Sequence, residues 1–440
     1  MSGTMQDPGS VDAALRWIKP SVRTLGAYTL RHHEPRIKLN QNESPYDVPG
    51  ELKRRINERL RDRPWNRYPP FVADSFIGAV SEATRWPGNG ILVANGSNEL
   101  IQAILSVVVG PGTSVVIPEP TFTLYRLMTE VNAGTVASVP LTHDLRFDVD
   151  GIIRAARKTS AAVIVLCTPN NPTGTALSKD EIVRIHDQTD ALVLLDQAYV
   201  EFGGYDGIPL LDGRPRLVVL RTFSKAMALA GLRAGYMLAH PALAAEVHKG
   251  KLPYNINFFT EVAAAEVLRG RALLEPNVEA MREQRDRLLA EMADVPGLHV
   301  YPSAANFILF RVESPAITHT GLFQRLLDDY GILVRDVSKY PMLERCLRVN
   351  AGTPGETGEF LDALRQIMGE VAAPTRISAD GTAAPTRISA DGTAAPTRIS
   401  ADGTVAPTRI SADGTAVRGN PTSPVNTTGE VENDAGEVNR

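Results

Sequence analysis

Two cysteines in 440 residues leave no disulfide framework and no thiolate metal cluster to build from. Strong charge of either sign is also missing. The formal balance of −4 gives no electrostatic reason to expect nucleic acid or an anionic membrane as a partner. No apolar run approaches the length of a bilayer span, and the polar start Met1 to Pro8 has no basic-then-apolar leader. A reducing cytoplasm is therefore the expected location. The hydrophobic and charged fractions, 43% and 22%, are those of an ordinary globular chain, and its length calls for two or more domains.

The chain divides by composition. Residues 1–45 read as an arm of short apolar pieces broken by Pro and Gly. A larger domain is expected over 46–270, and within it, from about 71 to 251, apolar runs of strand length alternate with helical stretches. The runs are centred on Ile91, Val115, Val136, Val163, Val193, Val218 and Met237. Ser178-Lys179-Asp180-Glu181 is a capping box that opens one of the helices. Continuous apolar strands separated by helices predict a mostly parallel sheet buried on both faces, with its ligands beyond the strand ends. Residues 271–371 predict a smaller α+β domain that begins with a charged, solvent-facing helix over 276–292, and residues 46–70 could pack with this domain instead of the larger one. From 372 to 440 the sequence Pro-Thr-Arg-Ile-Ser-Ala-Asp-Gly-Thr occurs four times, starting at Pro374, Pro385, Pro396 and Pro407. With one Ile per copy no solenoid core can form, so disorder is expected there.

The chemistry gathers at the ends of the candidate strands. Lys225 follows Leu217-Val218-Val219-Leu220, where apolar walls can desolvate its amine and let it form a Schiff base. Ser224 before it and Arg233 after it can hold a phosphate. Together they suggest pyridoxal phosphate. Gly96, Ser97 and Asn98 open a helix whose free N–H groups form an anion site. Phe122 is placed to stack on a flat ring. Asn171, before a rigid proline, can aim an amide at a phenolic oxygen. Asp196 ends an apolar strand and needs a partner, for which a pyridinium nitrogen is well suited. Tyr199, three residues on, can donate to the phenolic oxygen. Each feature has a plain structural meaning as a cap, a turn or a core residue, and it is their joint order that carries weight.

That order resembles the pyridoxal-phosphate aminotransferases of fold type I, over roughly residues 17–370. The motifs are Lys38-Leu39-Asn40-Gln41-Asn42-Glu43-Ser44-Pro45, Arg67-Tyr68-Pro69, Asn95-Gly96-Ser97-Asn98-Glu99, Pro169-Asn170-Asn171-Pro172-Thr173-Gly174, Arg221-Thr222-Phe223-Ser224-Lys225 and Leu347-Arg348-Val349. Within the class the chain is most similar to the histidinol-phosphate aminotransferases. The resemblance implies an α/β fold with a seven-stranded, mostly parallel sheet and a smaller α+β domain. It implies Lys225 as the cofactor lysine and proton shuttle, Asp196 at the ring nitrogen, and Tyr199 and Asn171 at the phenolic oxygen. Phe122 would lie on the ring, and Gly96, Ser97, Asn98, Ser224 and Arg233 around the phosphate. Tyr68 would reach the phosphate of a partner subunit, hence a homodimer. Tyr28, Asn42, Asn171 and Arg348 would meet the substrates, a small-molecule amino donor and a 2-oxo acid, with no metal. Three positions depart from the family pattern: Gln197 where an acid is usual, Ser44 where asparagine is common, and Ala27 where proline is common. Transamination of aromatic amino acids and decarboxylation of a phosphorylated amino acid remain alternatives. A non-catalytic regulator is disfavoured by the presence of Lys225, Asp196 and Tyr199 together.

Overall fold

A computed structural model of the protein describes residues 11–26 and 33–372. Tyr28, Ala27 and the repeats beyond 372 lie outside the described residues.

The main sheet has seven strands, in the order Ile91–Ala94, Gly235–Leu238, Leu217–Thr222, Leu192–Asp196, Val163–Cys167, Ser114–Glu119, Thr135–Pro140. Five run parallel, from Leu217–Thr222 to Thr135–Pro140, and Gly235–Leu238 runs antiparallel to both of its neighbours. The continuous apolar runs are explained by burial from both sides. Val193, Leu195, Leu217 and Val219 face one core, while Leu194, Val218 and Leu220 face another. Register sets Cys167 beside Asp196, and Asp196 beside Leu220, so the carboxy ends of three strands meet at one edge.

Ser178 caps the helix Lys179–Asp187 in a complete capping box with Glu181. The helix Gly50–Leu60 buries Leu52, Ile56 and Leu60. These side chains join the core that holds Val262 to Leu268, on the side of the larger sheet.

A second, antiparallel sheet has the order Arg335–Asp336, Cys346–Asn350, Phe307–Val312, Leu298–Val300, and carries its own core around Ile308, Phe310, Leu347 and Phe360. The helix Glu275–Ala293 differs from its solvent-facing expectation. Val278, Met281, Gln284, Leu288 and Met292 recur at helical spacing and are buried. The intervening Glu and Arg residues mask that stripe in the sequence. A short parallel pair, Ile37–Lys38 with Ile332–Leu333, fixes the segment that carries Asn40, Gln41 and Asn42.

Candidate active site

Lys225 leaves the strand Leu217–Thr222 and enters a cavity of about 420 Å³ at the carboxy edge of the main sheet. Its Nζ donates to the Gln41 carbonyl at 2.7 Å. Burial, with Arg348 next and Arg233 behind it, lowers the amine from 10.5 to about 7, against the opposing pull of Glu43. A lysine so placed gives up its proton far more readily than an ordinary amine and can act both as nucleophile and as proton carrier.

Asp196 is buried at the next strand end. Its Oδ1 accepts from the Ala198 amide at 3.1 Å and its Oδ2 from the Tyr125 hydroxyl at 2.7 Å. Burial raises its proton affinity and the two donors oppose that rise. Tyr199 stands three residues on, edge-to-face with Phe307, and its hydroxyl accepts from Asn42 Nδ2 at 3.0 Å. Burial raises the Tyr199 pKa above that of a free phenol.

The anion cradle is built from two directions. The helix Ser97–Val108 begins behind Gly96, whose φ is +85°. A Cβ on Gly96 would meet Arg233 Nη2 at 2.6 Å, and one on Gly235 would meet the Ser97 amide nitrogen at 2.4 Å. Only glycine fits between the helix terminus and the guanidinium. Arg233 donates from Nη1 to Ser224 Oγ at 3.0 Å and to the Ala230 carbonyl at 3.1 Å. Amides of a first helical turn, a hydroxyl and a guanidinium therefore converge.

At the small-sheet wall, Arg348 Nη1 donates to Asn171 Oδ1 at 2.5 Å and Nη2 to the Asn40 carbonyl at 2.7 Å, and the guanidinium lies 5.1 Å from the centre of the Phe307 ring. Arg335 is its register partner on the adjacent antiparallel strand, so both side chains leave the same face, and both line the cavity. Asn42 is anchored by Asn350 and Asn306, and its Oδ1 is buried with no partner among the described residues.

The cavity thus brings together Ser97, Asn98, Phe122, Asn171, Asp196, Tyr199, Ser224, Lys225, Arg233, Asn42 and Arg348, all singled out by sequence. Gly96 lies directly behind Arg233. Tyr68 is elsewhere, 81% exposed and stacked on Tyr254 at 4.8 Å. Gln197 turns away from the cavity. Its Nε2 donates to the Tyr205 carbonyl, while its Oε1 accepts from the Gly207 amide and from Arg221. A carboxylate could not make the first of these bonds, which accounts for the amide at this position. Sequence reasoning missed Tyr125, Cys167, Arg335 and Tyr340, which also line the cavity. Tyr125 sits about one helical turn after Phe122, a spacing that could have flagged it. The Arg335–Arg348 pairing needs the strand register. A larger cavity of about 930 Å³, between His143, Arg146, His299, Tyr301 and Arg311, contains none of these site residues.

Residues 34–364 match the family model described as aminotransferase class I and II. The chain belongs to the class I and II aminotransferases. It is 40% identical over 352 residues to the histidinol-phosphate aminotransferase of Chlorobaculum tepidum, covering 80% of this chain and 100% of that one. It is also 40% identical over 355 residues to the enzyme of the same name from Chlorobium luteolum, covering 80% and 98%. In fold it is similar to the histidinol-phosphate aminotransferase of Sinorhizobium meliloti solved in complex with pyridoxal-5'-phosphate. The TM-score is 0.72 at 24% identity, over 80% of this chain and 97% of that one. Asp196, Lys225 and the Gly96–Arg233 cradle thus set a buried acid, an amine and an anion-binding cup around one cavity.

Proposed function

We propose that this aminotransferase moves the amino group between L-histidinol phosphate and 2-oxoglutarate, giving imidazole acetol phosphate and L-glutamate in histidine biosynthesis. The observation that carries the substrate reading is the pair Arg335 and Arg348, facing one cavity that has a separate cradle at Arg233. Two guanidiniums suit a dianionic phosphate and can also fork onto the carboxylates of glutamate. The 40% identity to the Chlorobaculum tepidum enzyme supports the same reading.

The residues fit pyridoxal phosphate. A glycine-lined cradle with a guanidinium, a buried carboxylate held on both oxygens, and a lysine amine near neutrality stand in one cavity. When bound, the cofactor supplies an electron-accepting ring that acidifies the bond to be broken at the substrate. Lys225 would hold it covalently and would carry the proton at the substrate's reacting carbon with its Nζ. Asp196 would keep the ring nitrogen protonated, and Tyr199 and Asn171 would bind the phenolic oxygen. Phe122 would cover one ring face, and Gly96, Ser97, Asn98, Ser224 and Arg233 would take the phosphate. Asn42, by holding the Tyr199 hydroxyl, links the substrate entrance to the cofactor end. Tyr28 would add a donor to the same entrance.

The lobes divide near 270 in this reading, with 1–45 as an arm, and two copies pair in the cytoplasm. Trp65, Tyr68, Phe71, Leu252 and Tyr254 are exposed, and a second copy of this chain would cover them. Tyr68 would then reach the partner's phosphate cradle. Among the described residues no helix is long and apolar enough to cross a membrane.

The test is kcat/KM measured with histidinol phosphate and with phenylalanine, each with 2-oxoglutarate. A preference for histidinol phosphate of at least about a hundredfold is expected from a site built to bind a phosphate. Equal or better use of phenylalanine would move the assignment to aromatic amino acids.

A further inference from the structure

We propose that Tyr125 is a positioning residue that holds Asp196 as an ionised carboxylate against the cofactor's ring nitrogen, a role that rests on the reading of this site as a pyridoxal-phosphate site. Tyr125 is 1% exposed and its hydroxyl donates to Asp196 Oδ2 at 2.7 Å. The surroundings of Asp196 make this more than core packing. A buried carboxylate is driven toward its neutral form, and only donors oppose that drive. Asp196 has two protein donors among the described residues, the Ala198 amide and the Tyr125 hydroxyl. Tyr125 is the one of the two that a substitution can remove. The nearby Cys167 does not replace it. Cys167 sits beside Asp196 in strand register, is pushed up to about 12 by burial, and directs its Sγ to the Pro169 carbonyl at 3.6 Å. The Tyr125 phenol is itself held far from ionisation by burial and by the adjacent carboxylate, so it stays a donor throughout the working pH range.

Tyr125 is tied to the ring-stacking position as well. Its amide donates to the Phe122 carbonyl at 3.4 Å, and the two rings meet edge-to-face at 5.7 Å. One turn of chain therefore supplies both a ring face for the cofactor and the donor for its acid. Without the hydroxyl, Asp196 would share the ring proton more evenly, and the ring would withdraw electrons less.

The experiment uses Tyr125→Phe in the full-length, cofactor-loaded protein, alone and with Asp196→Ala. Removing one hydrogen bond to a charged group should lower kcat about tenfold to a hundredfold and leave KM for both substrates within about threefold. Pyridoxal-phosphate release should quicken, and the 15N resonance of ring-labelled cofactor should move from the protonated toward the neutral position. With Asp196→Ala already present, Tyr125→Phe should change release by less than about twofold, because no carboxylate remains to be held. The proposal is overturned if Tyr125→Phe leaves kcat, release and the 15N shift unchanged, or if it costs the same with and without Asp196. Incorporating 3-fluorotyrosine at 125, a close match in shape and a stronger donor, gives a second arm. It should keep the 15N shift at the protonated position with cofactor release no faster than in the wild type, and a shift toward the neutral position counts against the proposal. A wild-type protein that takes up no pyridoxal phosphate would refute the site reading itself, whereas a loaded wild type with an indifferent Tyr125→Phe refutes only the role of Tyr125.

Discussion

Replacing Lys225 with methionine should make the cofactor-free protein more stable, and only on the acid side of a defined window. Lys225 is buried and its pKa falls from 10.5 to about 7, chiefly through desolvation and then through Arg348. In the unfolded chain the amine keeps its ordinary value. Between pH 7 and 10.5 the unfolded state therefore binds the additional proton, and stability rises as pH rises through that window. Below about pH 7 the folded protein must carry a buried ammonium. At about 1.4 kcal/mol per pH unit, the shift corresponds to about 5 kcal/mol of destabilisation there. Lys225→Met removes the titration and keeps most of the volume. It also leaves the Gln41 carbonyl without its 2.7 Å donor, a pH-independent cost of about 1 kcal/mol. Urea unfolding of both cofactor-free proteins from pH 6 to pH 10 reads the difference. The variant should be more stable by several kcal/mol at pH 6, and the advantage should vanish by pH 10. A difference that is constant across this range to within about 1 kcal/mol would refute the reasoning, because it would mean that Lys225 is not desolvated.

Two further substitutions probe the ends of the cavity. Asp196→Ala should retain the fold but lose about a thousandfold in kcat and bind cofactor more weakly, with about 1–3 kcal/mol of stability lost because the Tyr125 hydroxyl is left unpartnered. Steady-state kinetics and cofactor titration check it, and near-normal turnover would reduce Asp196 to a structural carboxylate. Arg348→Lys keeps a charge near Lys225 but cannot bond Asn171 and the Asn40 carbonyl together. Both half-reactions should lose about tenfold to a hundredfold in kcat/KM, and single-turnover kinetics with each substrate would expose a loss confined to one of them.

What could be read from the sequence depends on the range of each interaction. Lys225, Asp196 and Asn171 each sit within a few residues of a strand end, so the apolar run that precedes them announces their placement. The anion-binding turn Gly96-Ser97-Asn98 is legible for the same reason, since it joins a strand to a helix. Other contacts depend on register between segments far apart in the chain. Arg335 faces Arg348 because one strand lies beside another. Asn42 meets Tyr199 because Ile37–Lys38 pairs with Ile332–Leu333, a two-residue ladder too short to leave a periodic trace. Tyr125 reaches Asp196 across 71 residues of sequence. The helix Glu275–Ala293 illustrates a different limit, because its buried stripe is thin enough to be hidden by the charges around it.

The most direct measurement of the central claim is chemical. The purified protein, loaded with pyridoxal phosphate, is reduced with borohydride, digested and mapped by mass spectrometry. The expected result is a yellow protein and a single pyridoxyl group on Lys225, the amine lowered to about 7 by burial in the cavity. A pyridoxyl group on any other lysine, or a protein that takes up no cofactor, would contradict it.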